Sequence, residues 1–163
     1  MVSEIRICFV CLGNIVRSPL AEHLFLRLAN QKRRKHEYIV ESAGTSAYHI
    51  GEKPDSRMCR VAANHGFRYS GRSRQFEVND FHRFDYVVAM DLENRDTLQR
   101  LSIDDTHRKK IRTMREFDPL GNSHMDVPDP YFGGADGFEE TYCIIERSCR
   151  GLLEAFEDGR LEI

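Results

Sequence analysis

An α/β domain is predicted, built on a four-stranded parallel sheet with helices on both faces. Three observations carry this reading. Apolar strand-like runs alternate with stretches of helical periodicity, the order of βαβ units rather than of hairpins. The run at 84–90 is nearly continuous in apolar character, as a central parallel strand covered on both faces should be. Cys11, Ser42 and Asp91 each sit just after an apolar run, which gathers them at the carboxyl edge of the sheet, where sites form in such folds.

Taken in order, residues 5–10 read as a buried strand, and residues 11–18 form a short Gly-containing loop that ends at Ser18-Pro19. Ala21, Leu24, Phe25 and Leu28 recur at helical spacing and define the first helix. A second short strand at 38–40 runs into Glu41-Ser42-Ala43-Gly44. Residues 54–65 read as a helix, with Pro54 near its first turn and Gly66 as its stop. Strand 84–90 is followed by helix 91–101 and by a weaker strand at 110–114. After a long loop at 115–134, Phe138, Tyr142, Ile145, Cys149, Leu152 and Phe156 step by three or four along a closing helix. With no internal repeat and no low-complexity linker, the 163 residues are expected to form one domain, 1–163.

Lys plus Arg number 24 and Asp plus Glu 26, a net charge of -2, which argues against a general nucleic-acid binder. The longest basic run, Lys32-Arg33-Arg34-Lys35, falls where the first helix should end, and cations there complement the helix dipole. No apolar run is long enough to cross a membrane, and the N-terminus lacks the layout of a signal peptide. The five cysteines (8, 11, 59, 143 and 149) are odd in number and sit in buried or chemical settings, so a reducing cytoplasm is the expected compartment. The seven histidines show no helical pair at ligand spacing, and no metal or cofactor is expected. Cys8-x2-Cys11 has no second half and Cys8 lies inside the apolar strand, so Cys8 reads as core. A monomer or weak dimer is the expected state.

The chemistry is concentrated in Cys11-Leu12-Gly13-Asn14-Ile15-Val16-Arg17-Ser18. Strand, tight loop and helix start form the geometry in which backbone N–H groups converge on an anion. A cysteine there is favoured as thiolate by the helix N-terminus and by Arg17. Gly13 lets the backbone approach closely, Asn14 tolerates the left-handed conformation of a cradle, and Arg17 can hold two phosphate oxygens in a planar fork. The Ser18 hydroxyl can donate to the thiolate; the bland alternative makes Ser18 an N-cap ahead of Pro19. Attack on phosphorus needs an acid for the departing oxygen. Asp129, stiffened by Pro128 and Pro130 and followed by Tyr131-Phe132-Gly133-Gly134, is the candidate, set against an ordinary Pro-Asp turn.

These segments, with Ser42-Ala43-Gly44-Thr45, His49 and Gly51, Pro54-Asp55, Arg74-Gln75, Phe84-Asp85-Tyr86, Met90-Asp91 and Asn94, resemble the low-molecular-weight protein tyrosine phosphatases over nearly the whole chain and in the family's order. The resemblance implies a flavodoxin-like, phosphotyrosine phosphatase I-like fold and hydrolysis of protein phosphotyrosine and small aryl phosphates through a phosphocysteine. It implies that Cys11 is nucleophile, Arg17 phosphate clamp and Asp129 general acid and then base. It places Leu12, Gly13, Asn14, Ile15, Val16, Ser18 and Ser42 in the phosphate loop and its support, and Ile15, Tyr48, Tyr131 and Phe132 at the substrate slot. A metal is not part of that chemistry, and the implied partner is a phosphotyrosine-bearing protein.

Three positions depart from the family's habit. Val16 stands where a second cysteine is frequent, Tyr48 where Trp is common, and Gly71, within Tyr69-Ser70-Gly71-Arg72-Ser73, where many members carry a histidine that supports the loop. Four alternatives are weighed. An arsenate reductase on the same fold needs further cysteines in and after the third strand, and residues 66–100 contain none. A protein-arginine phosphatase carries Thr where this chain has Ile15 and lacks the pair Tyr131-Phe132. A phosphocysteine carrier must preserve its intermediate and is poorly served by Asp129. A phosphate-binding module without catalysis leaves Cys11, Arg17 and Asp129 together unexplained.

Overall fold

The computed structural model describes residues 3–161. Four strands, β1 (Ile5–Cys11), β2 (Tyr38–Gly44), β3 (Tyr86–Ala89) and β4 (Ile111–Thr113), form one sheet in the order β2-β1-β3-β4. Every pairing is parallel. Six α-helices connect and cover them: α1 (Arg17–Gln31), α2 (Ser56–Asn64), α3 (Asp80–Arg83), α4 (Leu92–Leu101), α5 (Asp105–Lys109) and α6 (Ala135–Glu157). Among the described residues no helix is long and apolar enough to cross a membrane.

Because successive side chains of a strand point to opposite faces, β1 feeds two cores. Ile7, Phe9 and Cys11 join a cluster with Leu20, Leu24 and Phe25 of α1 and Tyr142, Ile145 and Cys149 of α6. Cys8 and Val10 face the other way, onto Phe81, Phe84 and Leu98 around α3 and α4. Helices therefore cover both faces, and complete burial of a side chain such as Leu20 or Phe25 contributes about 1.5–3 kcal/mol.

Several elements differ from the sequence expectation. β2 runs to Gly44 rather than stopping at 40, because it is an edge strand whose half-polar stretch pairs with β1 all the way to Cys11↔Gly44. α1 starts at Arg17 after Val16, so Ser18 does not cap it; Pro19 lies in the first turn, where a missing N–H costs little. α2 begins at Ser56, capped by the Asp55 side chain, which accepts from Arg57 N–H. The loop expected at 115–134 opens with a 3₁₀ turn, Met114–Phe117. The basic run ends α1 as expected. Lys32 pairs with Glu157 of α6 at 2.7 Å, and Arg34 reaches Glu37 and Glu157 at 3.0 and 3.5 Å.

Candidate active site

Cys11 is the last residue of β1, flanked by Gly44 of β2 and next to the end of β3 at Ala89. The chain then turns through Asn14, whose φ of 55° is left-handed, and enters α1. This turn folds the backbone around the sulfur. The Asn14 and Ser18 N–H groups donate to Cys11 Sγ at 3.3 and 3.4 Å, and Ser18 Oγ stands 3.0 Å from it.

Asn14 holds the turn with every polar atom of its side chain. Nδ2 donates to Ser18 Oγ at 2.8 Å and to Ser42 Oγ at 3.0 Å, and Oδ1 accepts from the Arg74 N–H at 3.0 Å. Since the amide donates into both hydroxyls, their own protons are directed onward. That of Ser42 goes to Glu22 Oε1 at 2.6 Å, and that of Ser18 has Cys11 Sγ, or the Ala43 carbonyl at 3.3 Å, to meet. The loop's carbonyls are tied down as well: Leu12 O accepts from Ser46, Gly13 O from Ser73 and Ile15 O from the Asp55 N–H. The glycines are there for contact. A Cβ on Gly44 would stand 2.8 Å from Leu12 O, and one on Gly13 would stand 2.8 Å from His49 Cδ2.

Arg17 is almost fully buried. Its Nη1 donates to Asp91 Oδ2 at 2.7 Å and to Val127 O at 2.9 Å, and Nη2 lies 3.5 Å from Asp129 Oδ2. Burial works against the charge, but Cys11, Asp91 and Asp129 more than compensate and push the Arg17 pKa above its ordinary value. Both short bonds use Nη1, so the rest of the fork is not consumed by them. Asp91, which the sequence places only at the sheet edge, thus orients the guanidinium while its Oδ1 caps α4 through Asn94 N–H.

Asp129 arrives from the far side on the 127–134 loop. That loop is pinned by Val127 N–H to Met90 O, by Thr141 Oγ1 to Pro128 O and by Arg57 Nη1 to Tyr131 O. Asp129 Oδ1 accepts from Tyr131 N–H at 3.1 Å, and the carboxylate remains 38% exposed, open to a ligand. Between the two loops lies a pocket of about 290 Å³. Its lining includes Cys11, Arg17 and Asp129 together with Leu12, Gly13, Ile15, Val16, Tyr48, Tyr131 and Phe132. Asn14, Ser18 and Ser42 are buried or nearly so and form the support described above. Phe132 and Tyr48, 97% and 81% exposed, stand at the mouth rather than in a wall. His49 also lines the pocket, with its ring 5.9 Å from that of Tyr131 and its Nδ1 bonded to Glu52. Sequence reasoning named His49 only as a matching residue; its place two residues after Gly44-Thr45-Ser46-Ala47, beside Tyr48, was the available signal.

Among α/β proteins with a cysteine at a strand-to-helix turn, this framework fits the cysteine-dependent phosphatases. The whole chain then sets the family. The family model for low molecular weight phosphotyrosine protein phosphatase matches residues 6–160, and the protein belongs to that family. A low molecular weight protein-tyrosine-phosphatase of Streptomyces coelicolor is 42% identical over 154 residues, 94% of each chain. The crystal structure of a protein tyrosine phosphatase from Entamoeba histolytica, with Hepes in its active site, superposes with a TM-score of 0.92 at 37% identity, over 97% of this chain and 100% of that one. A Drosophila arginine phosphatase superposes with a TM-score of 0.86 at 30% identity, over 94% and 98% of the two chains.

Proposed function

We propose that the protein hydrolyses phosphotyrosine in proteins, and small aryl phosphates, by a two-step transfer through Cys11. In the first step Cys11 Sγ attacks phosphorus, the ester P–O bond breaks, and the departing oxygen takes a proton from Asp129. Arg17 and the loop N–H groups hold the equatorial oxygens, where charge builds up. In the second step Asp129 removes a proton from water as it attacks phosphorus, the S–P bond breaks, and inorganic phosphate leaves with Cys11 restored as thiolate. The observation that carries this reading is the meeting of Cys11, Arg17 and Asp129 in one pocket, with Asp129 next to Arg17.

The choice of ring over guanidinium rests on the walls. Ile15 is β-branched and apolar and Tyr131 is aromatic, which suits a flat phenyl group. The fold does not discriminate here, since an arginine phosphatase shares it. Of the lining residues Leu12, Tyr48 and Phe132 are exposed, an apolar rim suited to residues flanking a phosphotyrosine. Turnover of matched phosphotyrosine, phosphoserine and phosphoarginine peptides tests the reading. Preference for phosphotyrosine of at least about a hundredfold is expected, the loss typical of a poorly positioned substrate. Comparable turnover of the other two would overturn it.

A further inference from the structure

The support of the loop does not end at Ser42. Its hydroxyl donates to Glu22 Oε1, and Glu22 Oε2 lies 3.4 Å from His23 Nε2. Consecutive residues of a helix normally point about 100° apart and do not face each other. Here both turn toward one polar cavity of about 300 Å³ behind the loop, whose lining includes Asn14, Glu22, His23, Ser42, Gly71 and Arg74. The 69–73 segment crosses the other side of this cavity with no side chain at Gly71. A Cβ built there would stand 3.9 Å from His23 Nε2, so the imidazole of α1 occupies the direction in which a side chain at 71 would point. Tyr69 steadies the ring from the flank, at 5.3 Å between centroids.

We propose that His23 is a positioning residue for the reaction. From α1 it stands 3.4 Å from the Glu22 carboxylate that anchors Ser42 and Asn14, on the side of the cavity that Gly71 leaves open. Glu22 needs such a partner. Burial pushes its pKa up, and Glu41 on β2 adds to this, while the Ser42 hydrogen bond, His23 and Arg74 oppose it. With Glu22 Oε1 as acceptor, the Ser42 proton points to it. The Ser42 oxygen then stays open to Asn14, and Asn14 keeps Ser18 turned toward Cys11. His23 itself touches neither substrate nor sulfur, and it does not line the substrate pocket.

This inference rests on Cys11 as the nucleophile, and the experiment separates the two. His23→Ala, His23→Gln and Glu22→Gln are compared with the parent for kcat and KM on an aryl phosphate, and for the rate of Cys11 alkylation by iodoacetamide at one fixed pH. His23→Ala should lower kcat and slow alkylation by a similar factor, about five- to tenfold, with KM changed by less than about twofold. His23→Gln, which keeps a polar side chain of similar reach beside Glu22, should recover most of both. Added imidazole should restore His23→Ala but not Glu22→Gln. Unchanged kcat and alkylation in His23→Ala would overturn the role of His23. So would equal losses in the Ala and Gln variants without imidazole rescue. A Cys11→Ser control that still turns over would instead bring down the reading beneath it.

Discussion

At Asn14 one side-chain amide sets the direction of two hydroxyl protons, and through Ser18 the environment of the sulfur. The consequences at Cys11 and Asp129 are separable. Cys11→Ser places a hydroxyl, a far weaker nucleophile, in the same cradle. It should abolish aryl phosphate hydrolysis while leaving phosphate binding and thermal stability close to those of the parent, as read by titration calorimetry and a melting curve. Retained activity within about tenfold would point to another mechanism. Asp129→Asn should slow aryl esters by ~10²–10⁴-fold, the usual worth of general acid catalysis, and the loss should shrink as the leaving group becomes more acidic. A loss that is uniform across a leaving-group series would remove Asp129 from the proton transfer.

At the scale of elements, the alternation of β1 decides how the site responds to oxidation. Cys11 ends the strand on the α1 side, while Cys8 is fully buried on the other face, where desolvation pushes its pKa far up. Cys8 is thus badly placed to resolve a sulfenic acid on Cys11, and Val16 offers no thiol. Peroxide should inactivate the enzyme. Activity regained with dithiothreitol should fall as exposure lengthens and Cys11 passes to sulfinic acid, and Val16→Cys should improve recovery. Full recovery after long exposure, with a Cys8–Cys11 disulfide in the mass spectrum, would contradict the strand geometry. The same alternation explains what was legible in the sequence. β1, β3 and α6 carry long apolar signals, and Cys11, Arg17 and Asp129 were found because their types and loop contexts suffice. α3 and α5 were not read, being only 4 and 5 residues long, too short to display a period. Glu22, Ser46, Ser73, Arg74 and Asp91 were given no role because their partners are far along the chain. Arg74 meets Asn14 across 60 positions, and Asp91 meets Arg17 across 74.

Across the whole molecule, two buried carboxylates are each clamped by two arginines. Asp118, its side chain fully buried, lies between Arg115 of the 3₁₀ turn and Arg147 of α6, at 3.2 and 3.0 Å. Asp80 of α3 binds Arg74 and Arg83. In both cases burial pushes the pKa up, but the arginine and backbone hydrogen bonds outweigh it and hold the carboxyl below its ordinary value. A folded pKa below the unfolded one gives stability that is present above the unfolded value of about 3.9 and lost as pH falls through the folded one. The urea midpoint should therefore be nearly flat from about pH 7 to 5 and fall below about pH 4, and Asp118→Asn should lower the plateau and shallow the fall. An unchanged acid slope in that variant would show that Asp118 is not part of the linkage. The central claim, that the phosphoryl group passes through Cys11, is tested most directly by acid-quenching the enzyme within its first turnovers on an aryl phosphate and mapping the phosphorylated peptide. Phosphate bonded to the Cys11 sulfur, increased in Asp129→Asn with an activated leaving group, is the predicted result; phosphate on another residue, or turnover with no covalent phosphate on the protein, would contradict the account.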